Sequence, residues 1–295
     1  MTGSEPLPLP RNLVVAAEQQ GRTAWLKTLP ATIARLTRAR SLSVEAPFQP
    51  GGQTAWVAPA RDQAGAEMVL KVAWAHPEAL HEGEGLQLWA GHGTVRLHAL
   101  EKSPDTTALL LERCRPGTPL AALPEARQDE IVAGLLRRLW QTSVGESATR
   151  FRPLKVMCDK WADEFEAHIA ANPGLVDPGL ARASIALFRA LPASADRQVL
   201  LATDLHAGNV LAAERAPWLA IDPKPYLGDP TYDPVQHLLN CEQRLYADPA
   251  GLAGRMADLL GLDRERLRRW LFARCVQESA GQPSLADVAR RLLND

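Results

Sequence analysis

Between residues 41 and 74 apolar and polar positions alternate in short runs, whereas from residue 125 onward apolar positions recur mostly at three- and four-residue steps. Side chains repeat every 2.0 residues on a strand and every 3.6 on a helix, so the first pattern predicts half-buried strands and the second amphipathic helices. "SLSVEAPF", "TAWVAPARD" and "MVLKVAW", separated by the turn-forming "PGGQ" and "QAGAE", predict a three-stranded antiparallel meander. Ahead of it, "AAEQQGRTAWLKTLPATIARLTRAR" predicts two short amphipathic helices broken at Pro30, whose ring removes a backbone donor. After Pro77, Leu80, Gly83, Leu86 and Trp89 fall at helical spacing, and Gly91 supplies a stop. "TVRLHALEK" and "TALLLERC", joined by "SPDT", predict a hairpin, and "RPGTPLAALPEARQ" reads as a linker into helices.

The shift in composition near Cys114 divides the chain into a strand-rich lobe, residues 1–113, and a helix-rich lobe, residues 114–295. Helical patterns run from Glu125 to Ala190 and from Asp248 to Asp295, with the short apolar strands "NVLAA" and "WLAID" between them. The fold class expected is α+β, and 295 residues suffice for two cores. A net charge of −1, from 33 basic and 34 acidic residues, argues against an electrostatic grip on nucleic acid or an anionic membrane. The basic run "RERLRRWLFAR" is no exception: Leu262, Leu267, Leu271 and Val276 make it an amphipathic helix with its arginines at the surface. No segment approaches the roughly 18 apolar residues of a membrane span, and "MTGSEPLPLPRN" has neither a basic start nor a long apolar core, so a cytoplasmic protein is expected. Cys114, Cys158, Cys241 and Cys275 form no C-x-x-C pair and are expected to be reduced and mostly buried. Oligomeric state has no signature in the sequence.

The chemistry concentrates in "TDLHAGNVLAAERAPWLAIDPKP", where Asp204, Asn209 and Asp222 interrupt an apolar ribbon. A tight loop centred between Arg215 and Ala216 would place Asn209 opposite Asp222, where an amide oxygen and a carboxylate share one hard cation such as Mg²⁺. Two protein ligands suffice for Mg²⁺ when a nucleotide completes its shell. Asp204 and Asn209 have the D-x-x-x-x-N spacing of a kinase catalytic loop, in which the Asp accepts the proton of the acceptor hydroxyl. Taken singly, Asp204 capping a turn and Asn209 in a left-handed position are ordinary for these residue types. Lys71, in the apolar third strand, suits the nucleotide phosphates, the competing reading being an edge-strand lysine. Glu82 is its expected partner in the following helix, one turn after Glu78, with Glu84 as competitor. Gly51 and Gly52 would let backbone N–H groups approach phosphates, although two glycines in a hairpin are also common turn chemistry.

These residues resemble the aminoglycoside and hydroxyurea phosphotransferases, in particular their streptomycin 6-kinase-like branch. "TAWLKTLP", "FQPGGQTAWVAPA", "VLKVAW", "HEGEGLQLW", "LLLERCRPGTPL", the ribbon itself and "GDPTYD" resemble that family's blocks in order, over about residues 22–240. The resemblance implies a bilobal protein-kinase-like fold, with leading helices and a small antiparallel sheet in one lobe and a larger helical second lobe, enclosing Mg-ATP. It implies that Asp204 is the catalytic carboxylate, that Asn209 and Asp222 bind Mg²⁺, and that Lys71, oriented by Glu82, holds the phosphates. Gly51 and Gly52 would then cover those phosphates, and the backbone of Glu112, Arg113 and Cys114 would contact adenine. Two departures stand out. "LATD" puts Ala202 where kinases carry a bracing histidine, leaving His206 as the expected brace. "DPK" replaces Asp-Phe-Gly, and the path from Asp222 to Asp233 is too short for an activation segment, which disfavours a protein kinase. Asp229 and Asp233 are expected to tie this loop to the helical lobe.

A polycationic acceptor needs acidic partners. Asp159, Asp163 and Glu166 share one face of "PLKVMCDKWADEFEAHI", and Glu278 lies in "CVQESAG"; a solvated helix face is the favoured reading of the first three, since charged outer faces are routine. The expected function is ATP-dependent transfer of a phosphoryl group to a hydroxyl of a streptomycin-like aminoglycoside. The alternatives are a kinase of another hydroxylated metabolite and a nucleotide-binding module without catalysis.

Overall fold

The computed structural model describes residues 8–77 and 79–294, and the chain divides into two compact units after Gly117. Arg113 and Arg115 both pair with Glu67, which keeps the chain with the first unit past residue 113.

In the first unit, α1 (Arg11–Gln19) and α2 (Thr23–Ala39) precede β1 (Ser43–Val44), β2 (Ala55–Arg61) and β3 (Glu67–Trp74). After them come α3 (Glu82–Trp89), β4 (Leu97–Lys102) and β5 (Thr106–Glu112). The strands form one antiparallel sheet in the order β1-β2-β3-β5-β4, so β3 is its middle strand. Alternation decides what that strand presents on each face. Met68, Leu70, Val72 and Trp74 join Trp25, Leu29, Ile33 and Leu36 of α2 in the core, which leaves Lys71 on the opposite face. There Gly83 of α3 sits so close to the sheet that a Cβ would lie 2.7 Å from Leu100 Cδ1.

The two leading helices do not break at Pro30. The interruption is at Gly21, whose φ is +66°, and α2 runs on through the proline. Pro30 forfeits one backbone hydrogen bond, a local cost of about 3 kcal/mol, but the apolar stripe from Trp25 to Leu36 continues across it and buries against the sheet. Trp25 further donates its indole N–H to Thr106 Oγ1 at 2.8 Å and meets Trp74 edge-on at 5.4 Å. Helix α3 begins only at Glu82 and ends where Ala90 (φ +50°) and Gly91 (φ +82°) turn left-handed. Glu78 lies outside the described residues.

The second unit opens with α4 (Glu125–Leu139), α5 (Leu154–Ala171) and α6 (Pro178–Ala190). Four short strands follow: β6 (Val199–Leu201), β7 (Val210–Ala212), β8 (Trp218–Ala220) and β9 (Tyr226–Gly228), paired antiparallel as β6–β9 and β7–β8. Five helices close the chain, α7 (Val235–Asn240), α8 (Glu242–Ala247), α9 (Pro249–Leu260), α10 (Arg264–Glu278) and α11 (Leu285–Asn294). Packed by α6, α7, α9 and α11, α10 is enclosed rather than superficial. Two of its arginines are therefore not surface residues: Arg266 pairs with Asp229, and Arg274 is buried, stacked 4.5 Å over the Trp161 ring and donating to Tyr232 Oη at 3.0 Å. A guanidinium is tolerated there because the ring and the hydroxyl replace its water. All four cysteines are buried and free, and among the described residues no helix is long and apolar enough to cross a membrane.

Candidate active site

The candidate residues fall into two groups, one in each unit. In the second unit, Val210 pairs with Ala220 and Leu211 with Leu219, so the hairpin is centred on Arg215 and Asn209 stands level with Ile221, not Asp222. The Ile221 N–H donates to the Asn209 carbonyl at 2.9 Å. This corrects the predicted register by one residue, a slip that in a regular ladder would send Asp222 to the other face. Asp222 instead leaves the ladder with φ +52°, which ends the alternation. Its Oδ1 lies 3.0 Å from Lys224 Nζ, and the same ammonium lies 3.5 Å from Asp204 Oδ2. Asn209 Nδ2 donates to the Asp204 carbonyl at 3.0 Å. The three predicted polar residues thus converge through Asp204 and Lys224 rather than by direct opposition.

Asp233 is the brace of this loop. Fully buried, it accepts from the backbone N–H of Thr203 (2.7 Å) and Ala202 (3.2 Å) and from the indole N–H of Trp140 (2.8 Å). Burial pushes its carboxyl up to about 6, against the pull of these donors. Thr203 adds a hydrogen bond from Oγ1 to the Lys224 carbonyl at 2.6 Å, and Lys224 N–H donates to the Ala202 carbonyl at 2.8 Å. Asp229 accepts from Arg266 Nε at 2.6 Å and Trp270 Nε1 at 2.8 Å, anchoring the same segment to α10. His206 does not take over the bracing role: its Nδ1 accepts from Gly208 N–H at 3.1 Å and caps the 3-10 turn Ala207–Asn209. Burial raises the pKa of Asp204, opposed chiefly by Lys224, and burial lowers that of His206.

The donor set fits a hard divalent cation such as Mg²⁺. Because Asn209 Nδ2 is spent on Asp204, its Oδ1 is the atom left to coordinate, and with the Asp222 carboxylate it offers the oxygen ligands that Mg²⁺ prefers. An ammonium already within 3.0 Å of Asp222 marks the position as one that favours positive charge.

In the first unit, Lys71 Nζ donates to both carboxylate oxygens of Glu82, at 2.7 and 2.8 Å, and both side chains are almost wholly buried. Glu84 pairs with Lys102 instead. The absent side chain at Gly83 lets α3 approach closely enough for the Lys71–Glu82 pair. Gly51 has φ +78°, and a Cβ there would lie 2.4 Å from Pro10 Cβ, so its packing already requires glycine; at Gly52 a Cβ would meet only the Ala55 carbonyl oxygen, at 4.0 Å. At the end of β5, Glu112 accepts from Arg96 N–H at 2.9 Å, Arg113 pairs with Glu45 and Glu67, and Cys114 is buried.

The acidic residues expected to meet an acceptor all have basic neighbours. Asp159 pairs with Lys155, Asp163 and Glu166 with Arg189, and Glu278 with Arg274. Glu278 also lines a cavity of about 300 Å³, with Glu242, Tyr246 and Gln282.

A second titratable cluster, which the sequence does not signal, joins Asp129, His237 and Cys241. Asp129 accepts from Arg244 at 2.8 Å and Arg255 at 2.9 Å, and lies 3.0 Å from His237 Nε2. With two guanidiniums already on that carboxylate, and burial pushing the Cys241 thiol up to about 12, the cluster joins helices rather than binding metal.

Residues 40–283 match the family model described as aminoglycoside/hydroxyurea antibiotic resistance kinase. The chain is 36% identical over 295 residues to a hydroxyurea phosphotransferase of Kitasatospora aureofaciens, spanning 95% of this chain and 82% of that one. It is 33% identical over 285 residues to a streptomycin 6-kinase of Streptomyces glaucescens, spanning 93% and 89%. Among solved structures, an aminoglycoside phosphotransferase of Streptomyces rimosus in complex with ADP and streptomycin superposes with a TM-score of 0.55 at 17% identity, over 89% of this chain and 98% of that one. That likeness shows a kinase-like fold. With its kinase-like fold and the match across most of its length, the chain belongs to the aminoglycoside/hydroxyurea antibiotic resistance kinase family, whose members are small-molecule phosphotransferases.

Proposed function

We propose that this protein transfers the γ-phosphoryl group of Mg-ATP to a hydroxyl of a small molecule, with a streptomycin-like aminoglycoside as acceptor. The observation that carries the reading is the convergence of Asp204, Asn209 and Asp222 around one ammonium on a loop braced by Asp233. Asp204 takes the proton of the acceptor hydroxyl, as a positioned general base. Asn209 and Asp222 would hold Mg²⁺, which when bound neutralises charge on the phosphates. Lys71, oriented by Glu82, would hold the nucleotide phosphates, the turn at Gly51 and Gly52 would cover them, and the backbone of Glu112 to Cys114 would contact adenine. A reaction drawing on ATP is in keeping with a cytoplasmic protein.

A second acceptor, hydroxyurea, is favoured by one specific observation. Asp159, Asp163 and Glu166, the residues expected to receive ammonium groups, are already paired with Lys155 and Arg189, and a neutral acceptor makes no demand on them. The deciding experiment is ADP release from Mg-ATP with streptomycin, hydroxyurea, other aminoglycosides and simple sugars, with product mass locating the phosphate. Turnover with none of them, despite nucleotide binding, would count against both acceptors.

Asp222→Ala should abolish Mg²⁺-dependent nucleotide binding, because it removes a metal ligand rather than the base. Titration of a fluorescent ADP analogue with and without Mg²⁺ tests this, and an unchanged Mg²⁺ response would remove Asp222 from the metal site.

A further inference from the structure

Lys224 is a charged side chain lying between Asp204 and Asp222 to which the expected kinase parts assign no task. It stands two residues after Asp222 in "DPK", and its backbone is pinned on both sides, N–H to the Ala202 carbonyl at 2.8 Å and carbonyl to Thr203 Oγ1 at 2.6 Å. This fixes the base of the side chain, whose ammonium lies 3.0 Å from Asp222 Oδ1 and 3.5 Å from Asp204 Oδ2. Both partners are carboxylates on which the reading of the site as a phosphotransferase depends.

We propose, resting on that reading, that Lys224 is a further catalytic residue whose ammonium binds the transferring phosphoryl group. A hydroxyl that gives its proton to Asp204 must lie about 2.6–3.2 Å from that carboxylate. The phosphorus it attacks must lie about 3–3.5 Å from the hydroxyl oxygen. These distances allow an equatorial oxygen of the phosphoryl group to lie within ion-pair reach of an ammonium 3.5 Å from Asp204. In the step itself the acceptor oxygen forms a bond to the γ-phosphorus, and the bond from that phosphorus to the bridging oxygen breaks. ADP departs with the electron pair, and the hydroxyl proton passes to Asp204. Charge spreads over the equatorial oxygens, and a fixed cation beside them stabilises the transition state. Before nucleotide binds, the same ammonium keeps two neighbouring carboxylates from repelling each other. With a divalent cation held by Asp222, Lys224 would be left to the incoming anion.

The test compares affinities for Mg-ADP and for Mg-AMP-PNP, a non-hydrolysable ATP analogue, in the full-length protein and in Lys224→Met and Lys224→Arg. Lys224→Met should weaken Mg-AMP-PNP about 10-fold while leaving Mg-ADP unchanged or tighter, and should lower kcat by about 10²–10³. Lys224→Arg keeps the charge and should keep most of the preference for the triphosphate. Equal effects of Lys224→Met on both nucleotides, or a preference lost in Lys224→Arg as well, would overturn the assignment. Absence of Mg²⁺-dependent nucleotide binding in the unaltered protein would instead overturn the phosphotransferase reading beneath it.

Discussion

Asp204→Ala lowers turnover by about 10²–10⁴-fold, the usual worth of a positioned acid–base group, and leaves Mg-nucleotide affinity within a few-fold of the parent. The two halves of this expected result come from different atoms. The base is the carboxylate, which the substitution deletes. Asn209 is held mainly through the Asp204 main-chain carbonyl, at 3.0 Å, and that bond survives. Asp233 also binds the preceding backbone, at Ala202 and Thr203, so the loop keeps its anchor. Steady-state turnover on the best acceptor, together with nucleotide titration of the variant, checks both halves. A variant that no longer binds Mg-nucleotide would mean that Asp204 belongs to the metal site, and one that turns over normally would dismiss it as the base.

Asp129→Ala is expected to cost about 3–5 kcal/mol of stability, the range for removing one partner of a buried ion pair. Asp129 is 1% exposed and gathers donors from three helices: His237 of α7, Arg244 of α8 and Arg255 of α9. Without it, Arg244 and Arg255 lose their shortest acceptor and keep only the more distant Glu125 and Glu130 and the Ala126 carbonyl. Urea unfolding of the variant measures the loss, and a change under about 1 kcal/mol would show that these side chains relax into water. The same carboxyl gives the acid limb of stability a definite sign. Burial pushes its pKa up, but hydrogen bonds from His237, Arg244 and Arg255 outweigh that and hold it at about 2, below the ordinary 3.8. A lowered folded-state pKa contributes stability that is complete above the ordinary value and is lost as pH falls from about 4 through 2, amounting to about 2 kcal/mol. That component should be missing from the stability-versus-pH curve of Asp129→Asn.

Local periodicity carried much of this protein into view. Alternation placed the strands of the first unit and set Lys71 among them. The spacing of Asp204 and Asn209, followed by Asp222, was legible as kinase chemistry without coordinates. The family resemblance rested on those same blocks, and family membership agrees with it. What periodicity missed has a common physical origin. Pro30 reads as a break because its cost is local, but α2 continues because its stripe is buried against strands far along the chain. The pairing of Asn209 and Asp222 came out one residue wrong because register depends on where the loop turns, and the left-handed Asp222 has no signature in composition. Helical phase alone separates Glu82 from Glu84 in the sequence, and the folded chain pairs Lys71 with the first and Lys102 with the second.

Arg266 and Arg274 look like surface residues because a helix does not reveal how many neighbours will enclose it. The partners of Asp129 lie 108 to 126 residues away, beyond any window in which a pattern repeats. The sequence by itself determined most of the elements, the kinase-like class and the candidate side chains, since each follows from interactions within a few residues. Only the tertiary structure decided which charges meet, which residue braces the loop that carries Asp204 and where Lys224 puts its ammonium. Those outcomes depend on long-range packing, which brings each carboxylate its partner only after the chain has folded.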